Sequence, residues 1–314
     1  MTSTPTDDAA RLWATRSPRL LGEDAEIADL AESPDEVLLL VHGCALLSVE
    51  TPLGPHAVAT VHAPGFLNLP RALAGTTGLC RFAPAPETEA LVFASDEARR
   101  LLFAAEEDGQ AFRRLSLGSV TTILRETNVA LSRFFDDLKR PGDRERLSRE
   151  ADPARLAPQN LPVDPGKVYD LFDAAGLNPT GLPDLGLVAR RIPKEAPLVT
   201  AGAAAEEAFL LAEGRLRVSI RIPGVGEEAL AILGPGEIVG EMALVDDSPR
   251  SADVRAHEGE ALVFVLSRAV FRDLLDSGRA DGAPLLAGIA IALARRLEES
   301  LRKTATFRVL AGPF

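Results

Sequence analysis

The sequence predicts a mainly β chain with flanking helices, an α+β protein made of two tandem copies of one β-domain, each followed by a helix. Three observations carry this expectation. Two blocks of short β-rich runs, opening at Glu36 and at Glu207, are punctuated by Gly and Pro, the signature of antiparallel strands joined by tight turns. The segment Arg215–Ile222 alternates strictly, with Leu216, Val218, Ile220 and Ile222 on one face and Arg215, Arg217, Ser219 and Arg221 on the other, the period of a half-buried strand. A constant shift of 171 positions superimposes residues 36–93 on 207–264 without a gap. Along it Glu36, Leu39, Leu40 and Gly43 meet Glu207, Leu210, Leu211 and Gly214, and Leu91-Val92-Phe93 meets Leu262-Val263-Phe264.

Taken in order, residues 1–33 are polar, with short helices expected around Ala9–Ala14 and Ala25–Leu30. The first β-block runs from Glu36 and closes as a strand followed by a helix over LVFASDEARRLLF. From Ser116 to Arg140 the apolar residues Val120, Leu124, Leu131, Phe134 and Leu138 fall near a 3.5-residue seam, either intradomain core or a dimer interface. Residues 141–183 hold seven prolines and read as a linker. One helix is expected inside it, with Asp164 as cap, Pro165 at the first position and Gly176 as stop. Strands resume after Leu185. The predicted division is residues 1–140, linker 141–183, and 184–314.

Composition excludes several classes. The 314 residues are 46% apolar and 25% charged, with a net charge of −12, ordinary for a globular chain and unfavourable for a nucleic-acid surface. Cys44 and Cys80 are too few for a disulfide framework or a thiolate metal site, so a reducing cytoplasm is expected. No secretory leader or membrane span is expected from the sequence. Among the histidines only His56 and His62 lie near each other, too few for a cupin-type metal site. No nucleophile elbow or Walker loop is present, and a non-enzymatic role follows as the expectation.

Chemistry concentrates between Gly234 and Arg255. Gly240 allows close backbone approach, and Gly240-Glu241-Met242-Ala243 reads as a tight helical turn whose N–H groups suit an anion. Arg250 offers a planar, permanently charged fork for a phosphate diester, Ser251 a hydroxyl, and Glu241 an acceptor for a sugar hydroxyl. At the shift of 171 the first copy has Leu69, Pro70, Leu79 and Cys80 where the second has Gly240, Glu241, Arg250 and Ser251. The first copy thus keeps the scaffold without the polar groups.

GEMALVDDSPRSADVRA resembles the phosphate-binding cassette of cyclic nucleotide-binding domains, G-E-x-A-L followed by P-R-[ST]-A-x-V. The resemblance covers roughly residues 185–306 and implies a jelly roll, or β-roll, repeated as a degenerate first copy. It further implies that Glu241 accepts from the ribose 2′-hydroxyl, that Arg250 pairs with the cyclic phosphate, and that Ser251 with the Gly240–Ala243 backbone completes the cradle. The implied ligand is cyclic AMP or cyclic GMP, with no further cofactor.

The final helix, from Pro284 to about Thr304, carries an apolar stripe of Leu286, Ile289, Leu293, Leu297 and Leu301. It resembles the segment of the catabolite activator relatives that lies over the bound base. On that resemblance Ser300 is a candidate base contact, and a homodimer through the long helices is possible. Those relatives continue into a helix-turn-helix, which is not expected in a chain ending at Phe314. Tandem copies also resemble the regulatory subunit of cyclic-AMP-dependent protein kinase, although its inhibitory segment is absent ahead of the copies. The expectation is a cytoplasmic cyclic-nucleotide sensor that relays ligand occupancy by helix movement to a protein partner. The alternative is an interaction scaffold without a ligand.

Overall fold

A computed structural model describes residues 5–21, 35–52, 54–75, 80–137, 159–161, 187–222, 226–277 and 282–311. Contacts divide the chain into two compact units, Met1–Leu131 with Leu275–Phe314, and Ser132–Leu274. The expected helices near Ala25–Leu30 and over 164–176 lie outside the described residues.

In the first unit, α1 (Pro5–Trp13) precedes strands β1 (Arg19–Leu21), β2 (Glu36–His42), β3 (Cys44–Thr51), β4 (Gly54–His62) and β5 (Gly65–Leu67). Helix α2 (Leu69–Ala74), strands β6 (Cys80–Pro84) and β7 (Thr88–Ala94), and helices α3 (Ser95–Phe103) and α4 (Glu107–Asp137) follow. The strands form two antiparallel sheets, ordered β1-β7-β2-β5 and β4-β3-β6. Phe66 of β5, Phe93 of β7 and Phe112 of α4 meet with ring centroids 4.9–6.4 Å apart, so α4 is seated on the sheet by aromatic packing. Two hydrogen bonds fix its register: Phe66 N–H donates to Ser119 Oγ at 2.8 Å, and Thr60 N–H to Glu126 Oε2 at 2.8 Å. Val120, Leu124 and Leu131 of the predicted seam are buried. Over these positions the seam is intradomain core. Phe134 and Leu138 lie outside the described side chains.

The second unit contains β8 (Gln159–Leu161), β9 (Val188–Ile192), β10 (Pro197–Val199), β11 (Glu207–Glu213), β12 (Leu216–Ile222), β13 (Gly226–Leu233), β14 (Ile238–Val239), α5 (Met242–Val245), β15 (Asp253–Ala256) and β16 (Ala261–Ser267). Helix α6 (Arg268–Ser277) then leads to α7 (Ala283–Ala311). Two sheets form, β14-β11-β16-β9-β8 and β10-β15-β12-β13. Phe209, Leu211, Val263 and Val265 of one pack with Leu216, Leu233 and Val254 of the other in a single buried cluster. Both units are therefore jelly-roll-like β-domains with flanking helices. The segment read as a proline-rich linker with one short helix also contributes a strand: β8 pairs with β9 through Asn160 and Arg190.

Strand register corrects one sequence expectation and leaves another standing. Along β12, Leu216 and Ile220 are buried, and Ser219, also buried, shares Glu227 with Arg217 on the other face. The register with β13 slips between Val218 and Ser219, where β13 carries the extra residue Leu230, a bulge of the partner strand. The same irregularity falls between Leu47 and Ser48 of the first unit. The shift of 171 is not constant in space. Thr51 pairs with Gly54, but Ile222 pairs with Gly226, so the second copy's turn is one residue longer. Leu39 then pairs with Phe66, and its counterpart Leu210 with Ile238. Counting on from these pairs, Asn68 stands where Gly240 does. Leu47 pairs with Phe82 and Val218 with Val254, which aligns Gly78 with Arg250 and Leu79 with Ser251. Leu69 takes the place of Glu241. Gly78 and Leu79 lie outside the described residues, but their identities leave the conclusion standing: the cassette's acid, arginine and serine have no counterparts.

Candidate functional site

The cassette begins where β14 ends. Gly240 adopts φ +84°, and its counterpart Asn68 adopts φ +63°, a left-handed conformation that Gly takes freely and Asn tolerates. Gly240 is required for a second reason. A Cβ on it would lie 2.5 Å from Arg250 Nη1, so the bare backbone makes room for the guanidinium.

Arg250 is itself 9% exposed. Its Nη1 donates to the Gly240 carbonyl at 2.6 Å, its Nη2 donates to the Glu207 carbonyl, and its carbon centre sits 6.0 Å from the Phe209 ring. Its backbone is fixed too: Arg250 N–H donates to the Ala203 carbonyl at 3.0 Å, and Gly202 N–H donates to the Arg250 carbonyl at 2.8 Å. Burial lowers the Arg250 pKa from its ordinary value, and the charges of Glu241 and Glu207 oppose that shift. The Glu207 carboxylate in turn accepts two hydrogen bonds from Arg190, at 2.7 and 2.9 Å, the bidentate geometry that favours Arg over Lys.

Glu241 is fully buried and occupies the position before α5. Leu244 and Val245 N–H groups both donate to its carbonyl, at 2.9 and 3.1 Å. The N–H groups of Met242 and Ala243 precede these first intrahelical donors. Met242 and Ala243 side chains are buried, so their contribution to a ligand would come from the backbone. Ser251 Oγ lies 3.8 Å from Met242 Sδ, placing its hydroxyl beside the same turn. The structure thus brings together Gly240, Glu241, Met242, Ala243, Arg250 and Ser251.

Ser300 belongs to the first unit, where its hydroxyl donates to Asn128 Oδ1 of α4 at 3.0 Å, and α7 packs on α2, α3 and β3. The predicted stripe of Leu286, Ile289, Leu293, Leu297 and Leu301 is buried there. The helix expected to close the second copy buries its apolar stripe within the first unit.

Two residues escaped the sequence reading. Arg268, the first residue of α6, donates through Nε to the Ala205 carbonyl at 3.0 Å and through Nη2 to the Ala243 carbonyl at 3.3 Å. It also pairs with Asp247, which pairs in addition with Arg272 at 2.5 Å. Asp247 has φ +55°. Partial burial raises its pKa, but hydrogen bonds and charge from Arg272 and Arg268 hold it below the ordinary carboxylate value. The only sequence signal was arginines at positions 268 and 272, one helical turn apart.

Residues 189–277 match the cyclic nucleotide-binding domain family. A cyclic AMP receptor protein of Thermus thermophilus is 39% identical over 113 residues, 35% of this chain and 49% of the relative. The chain therefore spans about half the length of the curated relative it matches. Among solved structures, the catabolite activator protein of Thermus thermophilus is 32% identical over 44% of this chain and 62% of its own, with a TM-score of 0.36. A cyclic nucleotide-binding domain of Methylobacillus flagellatus is 22% identical, covers 51% of this chain and 97% of its own, and has a TM-score of 0.44. Among the described residues no group of three or more His, Cys, Asp or Glu is placed to hold a metal ion. No helix there is long and apolar enough to cross a membrane.

Proposed function

We propose that the second unit is the ligand-binding part of a cytoplasmic, non-enzymatic sensor and takes a cyclic mononucleotide, cyclic AMP or cyclic GMP. The observation that supports this most is the buried Arg250 guanidinium packed against the bare backbone of Gly240, one residue from the buried carboxylate of Glu241. In this reading Arg250 and Ser251 meet the cyclic phosphate with the Met242 and Ala243 N–H groups, and Glu241 accepts from the ribose 2′-hydroxyl. Charge-assisted bonds of this kind are the strong ones. Occupancy is then relayed by helix movement to a protein partner. A homodimer through the long helices would have to use faces other than the buried stripes of α4 and α7.

One observation favours the alternative of a ligand-free interaction scaffold: both Nη atoms of Arg250 already serve carbonyls of its own unit. A guanidinium has five N–H donors, so two such bonds leave others for a phosphate. Titration calorimetry with cyclic AMP and with cyclic GMP decides between the readings. Saturable heat with a rise in melting temperature is expected for at least one of them. No heat and no thermal stabilisation at millimolar nucleotide would establish the scaffold.

A further inference from the structure

The segment from Ala203 to Glu207 is gripped by two arginines of its own unit. Arg250 takes the Ala203 carbonyl with its backbone N–H and the Glu207 carbonyl with Nη2. Arg268 takes the carbonyls between them, Glu206 with its backbone N–H at 2.8 Å and Ala205 with Nε at 3.0 Å. The cassette arginine and Arg268 therefore rest on one support. Arg268 reaches the cassette twice more, through the Ala243 carbonyl at 3.3 Å and through the Asp247 carboxylate. Burial is the main cause that lowers the Arg250 pKa, and the charge of Arg268 adds to it, so the two cations stand near one another.

The first copy, whose vestigial pocket Asn68 and Arg71 line, shows which of these parts the fold needs. Ser95 stands where Arg268 does: Glu36 pairs with Ala94 as Glu207 does with Ser267, and Ser95 N–H donates to the Asp35 carbonyl at 2.7 Å. Arg99, one helical turn on, takes the place of Arg272 and donates to the Ala72 carbonyl of α2 at 2.7 Å. Counting on from Asn68 and Gly240, Gly75 stands where Asp247 does, and both are left-handed, at φ +69° and +55°. Glycine takes this conformation freely, and its N–H closes α2 onto the Arg71 carbonyl at 2.9 Å. In the second copy the counterpart carbonyl, Ala243, accepts from Arg268. The copy with the cassette thus departs from the simpler arrangement at two positions that pair with one another. One of them holds a carboxylate in a conformation that favours glycine, the kind of departure that marks a functional site.

We propose that Asp247 and Arg268 are positioning residues of the cassette: their pair fixes the 246–249 loop to the 203–207 support, and so aims the Arg250 fork and the Ser251 hydroxyl at the phosphate. This rests on the cyclic-nucleotide reading above. A guanidinium gains its advantage at a phosphate from a fixed plane, and a group held in place before binding loses less on binding.

Titration calorimetry of the full chain with cyclic AMP and cyclic GMP, beside thermal unfolding of the ligand-free proteins, tests this. Asp247 is exposed, so Asp247→Asn leaves a folded protein. If the cluster acted by charge alone, removing this carboxylate would tighten the binding of an anion. Positioning predicts the opposite, a loss of about three- to fivefold for the nucleotide that binds. Arg268→Gln is expected to lose about tenfold, as for bonds made by a charged group, and Arg268→Lys to fall between. In an Arg250→Lys chain, which has no fork to aim, Arg268→Gln should cost less than about twofold more. Arg99→Gln in the first copy serves as the control: it is expected to lower the melting temperature and leave affinity unchanged. Tighter or unchanged binding by Asp247→Asn overturns the positioning role and leaves the binding reading intact. An Arg268→Gln loss that persists in full in the Arg250→Lys chain, or an equal loss from Arg99→Gln, assigns the effect to general stability and overturns the role likewise. Absence of heat from the parent chain removes the binding reading and this role together.

Discussion

The Arg250 guanidinium donates to the backbone carbonyl of Glu207, and in the other copy the Asn68 side-chain amide donates to the carbonyl of Glu36 at 2.7 Å. Glu36 and Glu207 are repeat counterparts, so one structural need, a donor for the same carbonyl, is met in two ways. An amide on the turn itself suffices for the fold. The second copy meets the need with a cation projected from across the loop, which a neutral amide would have made unnecessary. That difference is the reason to assign Arg250 a task beyond holding the turn.

Arg250→Leu is expected to weaken nucleotide binding by at least about 1.5 to 3 kcal/mol, the range for a lost charge-assisted hydrogen bond, and to lower the melting temperature because two carbonyls lose their donor. Arg250→Lys should keep the charge without the fork and fall between. Calorimetry and thermal unfolding of the three proteins check this, and an unchanged affinity would place the phosphate elsewhere. Arg71, close to the vestigial pocket, is expected to be replaceable by Leu with no effect on affinity.

Glu241→Gln preserves volume at a fully buried position but exchanges a pure acceptor for a group that also donates. Affinity for cyclic AMP or cyclic GMP should fall about 10- to 100-fold, in keeping with about 1.5 to 3 kcal/mol for a bond to a charged group. The 2′-deoxy analogue of the same nucleotide should bind the parent and the variant alike. Equal losses for both nucleotides would show that Glu241 acts on the turn and not on the sugar.

Gly240→Ala carries two costs, a left-handed φ of +84° and a Cβ 2.5 Å from Arg250 Nη1. The expected loss is about 1 to 3 kcal/mol of stability, with weaker nucleotide binding because the guanidinium must move. Denaturant unfolding and calorimetry on one preparation test both. Retention of full stability would mean that the turn can reshape around a methyl group.

The pair Asp247 with Arg268 and Arg272 gives a pH dependence with a definite sign. The folded pKa of Asp247 lies below its ordinary value, so the contribution is complete above the unfolded carboxylate pKa of about 3.9 and is lost as pH falls through the lower folded value. Because Asp247 is largely exposed, the effect is small and salt-sensitive. Melting temperatures of the parent and Asp247→Asn should differ at pH 7 and low salt, and converge on acidification below about pH 4. A difference that persists there would assign the effect to loop geometry at φ +55°.

Much of the fold and most of the site were legible because they are written locally. Period-2 alternation, Gly and Pro punctuation and the repeat depend on residues near one another in the chain. The cassette is likewise contiguous, so Gly240, Glu241, Met242, Ala243, Arg250 and Ser251 could be named together before any contact was known. Arg268 and Asp247 were missed because two strands, β15 and β16, intervene between them in the chain, where no short spacing announces the pair.

What the sequence by itself determined is a chain of two β-domains with one cassette, since turn chemistry, side-chain period and a compact motif are local properties. Only the tertiary structure decided which residues face one another. An extra residue in one hairpin turn moved the repeat register by one, replacing Leu69 with Asn68 as the counterpart of Gly240. It also decided where α7 docks. An apolar stripe states that a helix must bury a face, and burial is non-directional. The partner is chosen by complementary packing and by specific bonds such as Ser300 to Asn128, residues separated by most of the length of the second copy.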